Sequence, residues 1–185
     1  MRELILGGQR SGKSRCAEWR ARDWLGVPGR EAVLIATALA GDAEMQARIA
    51  RHRDDRAKRV AGLATTEETR ALASAVAAAS VPHRLVVVDC LTLWLTNLLM
   101  PMEGQALDAA GVEAAIQGLA QAVRNAPGPV VLVSNEIGMG LSPMTSEARH
   151  FVDELGRLHQ AVAAVCSHVT LMVAGIELPV KRPAS

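Results

Sequence analysis

Aromatic residues are almost missing from this sequence of 185 residues, which has no tyrosine, one phenylalanine and three tryptophans. Proteins that hold single-stranded nucleic acid stack its bases on aromatic side chains, and this chain has no set of such platforms. Its formal net charge is only +1, with charges of both signs interspersed. We therefore expect no nucleic-acid partner.

Cysteine is also scarce. Cys16, Cys90 and Cys166 are far apart and form neither a C-x-x-C pair nor a zinc-binding spacing, so we expect reduced thiols. No apolar run approaches the roughly 20 residues that a membrane-spanning helix needs. The apolar stretch that begins at Leu4 leaves no room for a signal peptide. These absences predict a cytoplasmic protein with no integral membrane segment.

Apolar and helix-favouring segments alternate along the chain, and half of its residues are hydrophobic. Apolar runs without polar alternation are typical of buried parallel strands, and they cover residues 4–6, 32–36, 85–89, 130–134 and 169–174. Residues 178–181 form an edge segment at most, because Pro179 cannot donate to a central ladder. The sequence predicts a single domain over residues 1–185. Its fold class is α/β, with a mainly parallel sheet flanked by helices.

Helices are predicted between these strands from capping residues, alanine-rich composition and the positions of glycine and proline. Asp42 can cap a helix that runs to about Lys58. Thr66 and Glu67 are expected to begin a helix that ends at Ser80. The remaining helices are expected at residues 14–25, 91–100, 109–125 and 146–166.

A phosphate-binding motif follows the first apolar run. It fits G-x-x-x-x-G-K-[ST], and the strand before it and the helix after it are the setting that this motif requires. Glycines allow a tight turn whose N–H groups point at phosphate oxygens, and the start of the helix adds its positive dipole end. The alternative is a glycine turn with a chance Gly-Lys-Ser. The motif consists of Gly7, Gly8, Gln9, Arg10, Ser11, Gly12, Lys13 and Ser14. With this motif, the predicted α/β fold with its mainly parallel sheet is P-loop NTPase-like.

Three side chains are expected to act on a bound nucleoside triphosphate. Lys13 would reach its β- and γ-phosphates, and the Ser14 hydroxyl would hold Mg²⁺. Asp89 closes an apolar strand, which is the placement of the Walker B carboxylate that completes the Mg²⁺ shell. Asp89 can also cap the following helix, and the two roles are compatible.

Ligands of such sheets bind beyond the carboxyl ends of the strands. This rule places Thr37 and the pair Asn135 and Glu136 beside the phosphate loop. Glu136 is a candidate base or metal contact. The alternative is that Asn135 and Glu136 only fix the loop that follows them.

His52 stands in a segment rich in charge. One interpretation is a histidine at the edge of the core on a solvated, salt-bridged helix, and the residues alone favour it. The other is a nucleophile, because guanidinium groups disfavour the imidazolium form and neutralise a phosphate chain under attack. The charged neighbours are Arg48, Arg51, Arg53, Asp54, Asp55 and Arg56.

A set of blocks spread over nearly the whole chain resembles the bifunctional adenosylcobinamide kinase/adenosylcobinamide-phosphate guanylyltransferase family of cobalamin synthesis. The phosphate loop is the first block, and the segment around His52 is the second. Two further blocks follow two of the predicted strands. They are Asp89, Cys90, Leu91 and Thr92, and then Asn135, Glu136, Ile137, Gly138, Met139 and Gly140.

The resemblance implies two reactions. The family phosphorylates the aminopropanol hydroxyl of adenosylcobinamide with a nucleoside triphosphate, either GTP or ATP. It then transfers GMP from GTP to that phosphate, through a phosphoramidate on the histidine that corresponds to His52. The products are adenosylcobinamide-GDP and pyrophosphate.

The resemblance also implies nucleotide-binding positions outside the phosphate loop and a homotrimeric assembly. This chain departs from the family pattern at Leu63, where a tryptophan is usual, at Ala57 and at His159, where asparagine is common. The implied nucleotide-binding positions are Ala36, Thr37, Ala38, Arg53, Asp54, Asp55, Arg56, Glu67 and Asp89.

Two other functions are consistent with a phosphate loop of this kind. One is a P-loop kinase of another small hydroxyl compound, and the other is a non-catalytic binding protein in which Mg²⁺–nucleotide orders loops. Only the two-reaction enzyme requires a covalent nucleotide on His52.

Overall fold

The computed structural model of the chain describes residues 1–39 and 59–183. Strands and helices alternate along these residues. The strands are β1 (Arg2–Gly7), β2 (Glu31–Ala36), β3 (Leu63–Glu67), β4 (Arg84–Asp89), β5 (Val130–Val133), β6 (His168–Val173) and β7 (Ile176–Lys181). The helices are α1 (Lys13–Leu25), α2 (Leu72–Ala79), α3 (Leu91–Leu99), α4 (Ala109–Asn125) and α5 (Ser146–Val165).

The strands form one sheet in the order β3-β2-β4-β5-β1-β6-β7. β1 lies between β5 and β6, with Leu4 opposite Leu132 on one side and Val169 on the other. All neighbouring pairs are parallel except β6 and β7, which are antiparallel. The predicted α/β fold with a mainly parallel sheet is confirmed.

Helices cover both faces of the sheet because successive residues of each buried strand point to opposite sides. Ile5 and Val87 belong to the apolar cluster that includes the buried face of α1. Leu4 and Val86 belong to the larger cluster formed with α2, α3, α4 and α5. Strands buried on both faces explain the continuous apolar runs of the sequence.

The prediction that Thr66 and Glu67 begin a helix is wrong. Both residues belong to β3, which pairs with β2 so that Thr66 lies opposite Ile35 and Glu67 opposite Ala36. Threonine favours the extended backbone of a strand. The helix begins only at Leu72, after the Glu68 carboxylate has accepted hydrogen bonds from the N–H groups of residues 70 and 71.

The predicted edge segment is a six-residue edge strand, β7. Pro179 is tolerated there because an edge strand has one side free of ladder partners. The predicted helix from Asp42 to about Lys58 lies outside the described residues. Within residues 1–39 and 59–183, none of the helices has the length and apolarity needed to cross a bilayer.

Gly128 provides a test of this packing. A Cβ at Gly128 would lie 2.1 Å from the carbonyl oxygen of Val81 and 2.7 Å from that of Arg84, and neither backbone can easily give way. We expect Gly128→Ala to lower the free energy of unfolding by about 1–3 kcal/mol, the usual range for overpacking. Urea denaturation measures this change.

The matched control is Gly118→Ala in the middle of α4, where the nearest side-chain atom to the new Cβ is 3.9 Å away. Alanine favours a helix interior over glycine, so this variant should be more stable by about 0.5–1 kcal/mol. Equal stabilities of Gly128→Ala and the unmodified protein would show that the turn before β5 is not tightly packed.

Candidate functional site at the carboxyl edge of the sheet

The phosphate loop joins β1 to α1 in a conformation that requires glycine at two points. Gly7 has φ 156° and Gly12 has φ 101°. A Cβ at Gly7 would lie 2.6 Å from the carbonyl oxygen of Met172 on β6. α1 begins directly after Gly12, which offers no side-chain cap to the first N–H groups of the helix. The loop therefore presents main-chain donors and a helix N-terminus to an anion.

Lys13 folds back over this loop. Its Nζ donates to the carbonyl oxygen of Gly8 at 2.7 Å. Burial lowers the pKa of Lys13 below its ordinary value, and the nearby Asp89 carboxylate opposes this shift. The amine is thus held near the loop and close to the end of β4, where the motif predicts that it meets phosphate.

The turn between β6 and β7 contacts the phosphate loop and supports it. The N–H of Gly175 donates to the carbonyl oxygen of Ser11 at 2.9 Å. Ala174 and Gly175 both have positive φ, at 53° and 82°. Sequence reasoning did not find this contact, because no local pattern connects residues so far apart in the chain.

Asp89 and Ser14 fit the predicted Mg²⁺ site. Asp89 is half-buried at the last position of β4, and among the described residues its carboxylate makes no ion pair or side-chain hydrogen bond. It does not cap α3, whose N-cap residue is Cys90. Ser14 is half-buried in the first turn of α1.

Mg²⁺ keeps several waters and is usually held by one or two protein side chains together with substrate phosphates. In the described part of the chain no three His, Cys, Asp or Glu side chains gather as a metal site. A hydroxyl and a free carboxylate beside a phosphate loop are the donors that a phosphate-bound Mg²⁺ needs, so the residues fit the ion.

Thr37, directly after β2, forms hydrogen bonds to Cys90, directly after β4. Its hydroxyl donates to the carbonyl oxygen of Cys90 at 2.6 Å and accepts from the Cys90 N–H at 2.9 Å. Its own carbonyl oxygen accepts from the Asn97 amide at 2.8 Å. The side chain is fully buried, so it holds Asp89 and Cys90 in place. Ala36 and Ala38 are half-exposed on either side of it.

Glu67 lies in the same row of strand ends, because it pairs with Ala36, and Ala36 pairs with Asp89. β3 is four strand positions from β1. At about 4.8 Å per position this is roughly 19 Å, so Glu67 is at the far end of the crevice from the phosphate loop. His52, Arg53, Asp54, Asp55 and Arg56 lie outside the described residues.

A buried polar cluster lies at the end of β5, beside the phosphate loop. Ser134 follows β5, and its hydroxyl lies 2.7 Å from Nε2 of His159 on α5 and 3.1 Å from the hydroxyl of Thr92 on α3. His159 Nδ1 is 3.6 Å from a carboxylate oxygen of Glu136. Sequence reasoning selected Glu136 and missed the contacts of the other three, which only the packing of α3 and α5 on β5 creates.

The described part of the site thus has three elements. The phosphate loop with Lys13, the free carboxylate of Asp89 and the Glu136 cluster lie at the carboxyl ends of neighbouring strands. This arrangement is that of a P-loop nucleotide-binding enzyme. Two solved structures share the fold: flagellar accessory protein FlaH from Methanocaldococcus jannaschii, with a TM-score of 0.53, and the ATPase domain of a second protein, with a TM-score of 0.52.

These two structures are 8% and 14% identical to the chain in sequence. The first likeness covers 98% of this chain and 78% of that structure, and the second covers 92% and 68%. At such low identity they establish the fold alone.

Sequence comparison gives the family. The family described as cobinamide kinase / cobinamide phosphate guanyltransferase (CobU) matches residues 3–180. The bifunctional adenosylcobalamin biosynthesis protein CobP of Pseudomonas aeruginosa is 47% identical to the chain over 98% of both sequences. The protein of the same description, CobU, from Escherichia coli K12 is 38% identical over 96% of this chain and 98% of its own.

The chain belongs to the cobinamide kinase / cobinamide phosphate guanyltransferase family. This confirms the resemblance found in the sequence and supports the two-reaction enzyme. The family gives no support to a kinase of another small hydroxyl compound or to a non-catalytic nucleotide-binding protein.

The two hydrogen bonds between Thr37 and Cys90 lead to a stability prediction. Thr37→Val removes the hydroxyl and leaves the buried N–H of Cys90 without its partner, while the Cys90 carbonyl oxygen keeps its hydrogen bond from the Trp94 N–H. We expect a loss of about 1–3 kcal/mol in the free energy of unfolding. Thr37→Ser keeps the hydroxyl and should lose less. Urea denaturation of both variants checks this, and an equal loss in the two would show that the hydroxyl contributes nothing.

Proposed function

We propose that the chain works as one domain over residues 1–185 and catalyses both reactions of its family. It phosphorylates the aminopropanol hydroxyl of adenosylcobinamide with GTP or ATP, and then transfers GMP from GTP to adenosylcobinamide phosphate. Adenosylcobinamide-GDP and pyrophosphate are released. The observation that carries the proposal is the phosphate loop with Lys13 above it and, beside it, an Asp89 carboxylate that has no ion pair among the described residues, in a chain of this family.

In the kinase reaction, the loop from Gly7 to Ser14 cradles the phosphates of the nucleotide. Lys13 neutralises negative charge that moves toward the leaving group as the γ-phosphoryl group is transferred. Ser14 and Asp89 would hold Mg²⁺, which supplies further neutralisation of the phosphate oxygens when it is bound. Ala36, Thr37, Ala38 and Glu67 extend the nucleotide site along the row of strand ends.

In the guanylyl transfer, His52 is the nucleophile. Its ring nitrogen attacks the α-phosphorus of GTP, the bond between the α- and β-phosphates breaks, and pyrophosphate leaves. An oxygen of adenosylcobinamide phosphate then attacks the same phosphorus, and the P–N bond to His52 breaks. The relay divides one displacement into two steps that each have a good leaving group. Arg53, Asp54, Asp55 and Arg56 complete the binding of this nucleotide.

We also propose that the protein is a cytoplasmic homotrimer. The family resemblance in the sequence supports this assembly. The edge strand β7 adds support, since the apolar side chains of Ile176, Leu178 and Val180 are 64%, 46% and 66% exposed on it. An exposed apolar edge of this kind is commonly covered by a partner in an oligomer.

The covalent intermediate is tested with GTP labelled in the α-phosphate. Incubation with Mg²⁺ should give an acid-labile labelled protein, and His52→Asn should abolish both the label and guanylyl transfer. His83→Asn is the control, because His83 is an exposed histidine at the amino-terminal end of β4, away from the crevice. Labelling that persists in His52→Asn would exclude this histidine as the carrier.

The role of Lys13 is tested by the rate of phosphorylation of adenosylcobinamide. Lys13→Ala should lower this rate about 10²-fold or more, the usual cost of removing a charge that acts in the transition state. Lys181→Ala on the exposed strand β7 is the control and should leave the rate unchanged. An unchanged rate in Lys13→Ala would contradict the role of the loop in phosphoryl transfer.

A further inference from the structure

Glu136 is fixed at the entrance of the phosphate loop. Its N–H donates to the carbonyl oxygen of Gly7, the first residue of the loop, at 2.9 Å. β5 lies between β1 and β4, so Glu136 leaves the sheet between the phosphate loop and Asp89. Its side chain is 18% exposed, so the carboxylate is largely enclosed and still reaches solvent.

Thr92, Ser134 and His159 form a chain of hydrogen bonds next to Glu136, in which each hydroxyl donates to the next residue. The N–H of Asn135 donates to the hydroxyl oxygen of Thr92 at 2.8 Å. Among the described residues, the Thr92 hydroxyl hydrogen has one available acceptor, the oxygen of Ser134 at 3.1 Å. The Ser134 hydroxyl hydrogen then points to His159 Nε2 at 2.7 Å. This direction gives every buried donor an acceptor, as buried polar groups require.

The same direction settles the tautomer of His159. Since Nε2 accepts a hydrogen bond, the ring hydrogen is on Nδ1, which faces Glu136 Oε2 at 3.6 Å. Burial lowers the pKa of His159, and the neighbouring charge of Glu136 raises it. The other carboxylate oxygen, Oε1, accepts from the N–H of Gly138 at 2.6 Å. One carboxylate oxygen is therefore held by a hydrogen bond from Gly138, and the other lies beside the ring N–H of His159 at a distance slightly longer than a hydrogen bond.

We propose that Glu136 is the general base of the kinase reaction and that His159 is the positioning residue that directs it toward the phosphate loop. The inference rests on the kinase half of the proposed function. The acceptor hydroxyl oxygen attacks the γ-phosphorus, and the bond from the γ-phosphorus to the bridging oxygen breaks. The nucleoside diphosphate leaves, and the hydroxyl proton passes to Glu136 and then to solvent.

The two reactions differ in their need for this base. The acceptor of the first reaction is an alcohol, which must lose its proton as it attacks. The acceptor of the second is a phosphate monoester, whose second pKa of about 6 leaves it anionic at neutral pH. Guanylyl transfer therefore has no acceptor proton to remove. Glu136 and His159 serve the first reaction alone.

Two substitutions of His159 distinguish between two roles of its ring, the positioning of Glu136 and the filling of space in the core. Asparagine places an amide nitrogen near the position of Nδ1 and keeps a donor toward Glu136. Glutamine places its amide near the position of Nε2 and keeps the contact with Ser134. We expect His159→Gln to lower kcat of the kinase reaction about 10-fold or more and His159→Asn to remain near the unmodified rate. KM for the nucleotide should stay the same in both variants.

Glu136→Gln should lower the kinase kcat about 10²-fold or more, as loss of a general base usually does. Guanylyl transfer, assayed separately with GTP and adenosylcobinamide phosphate, should be unchanged in all three variants. This second reaction also reports whether each variant is folded. Because the two assays use the same preparation, a variant that is inactive in one and active in the other is not misfolded.

Several outcomes would overturn the inference. A kinase rate in His159→Gln that equals or exceeds that of His159→Asn would show that the ring only fills the space beside Ser134. Equal losses of both activities in Glu136→Gln, or no loss, would exclude a base that serves one reaction. The unmodified enzyme tests the proposed function separately. Without guanylyl transfer its transferase half fails, and without kinase activity both that function and this inference fail.

Discussion

Parallel pairing of the strands is the constraint on which the site depends. It brings the last residues of β2, β4 and β5 into one row, with Ala36 opposite Asp89 and Asp89 opposite Val133. Most polar groups just beyond this row are buried and satisfied by one another, as in the pairing of Thr37 with Cys90. Among the described residues, only a few polar groups of the site remain available to a ligand. Each of them is held in place by neighbouring residues that take no part in the reaction. The positions of the site residues are therefore fixed by the buried hydrogen bonds of their neighbours.

The sequence predicts the parts of this structure that have a local signal. Buried parallel strands appear as apolar runs, and the phosphate loop has a motif with its own strand and helix. β3 was missed because an exposed edge strand has no apolar run, and its Glu67 resembles a helix start. His159 was not identified as a site residue because its burial and its contacts with Ser134 and Glu136 arise only when α5 packs on the sheet. A pattern on one element cannot specify a partner on another.

Both proposed reactions are displacements at phosphorus in a nucleoside triphosphate. The reactions differ in the phosphorus attacked, in the nucleophile and in whether the acceptor has a proton to lose. We propose that the phosphate loop is shared and the attacking groups are separate, because the phosphates must be bound in both reactions. In this proposal, Lys13 belongs to the shared part, and the cluster of Glu136, Ser134 and His159 belongs to the reaction with the alcohol acceptor.

The bond from Gly175 to Ser11 has a consequence for how the protein is made. The loop emerges from the ribosome long before the turn that supports it, because that turn follows β6 in the chain. At about 5–20 residues per second, this delay is roughly ten to thirty seconds. β1 also lacks both of its neighbouring strands until β5 has been translated, and it lacks β6 for almost the whole delay. The nascent chain therefore cannot complete its nucleotide site until translation is almost past the sheet, and until then its central strand is exposed to chaperones and to other chains.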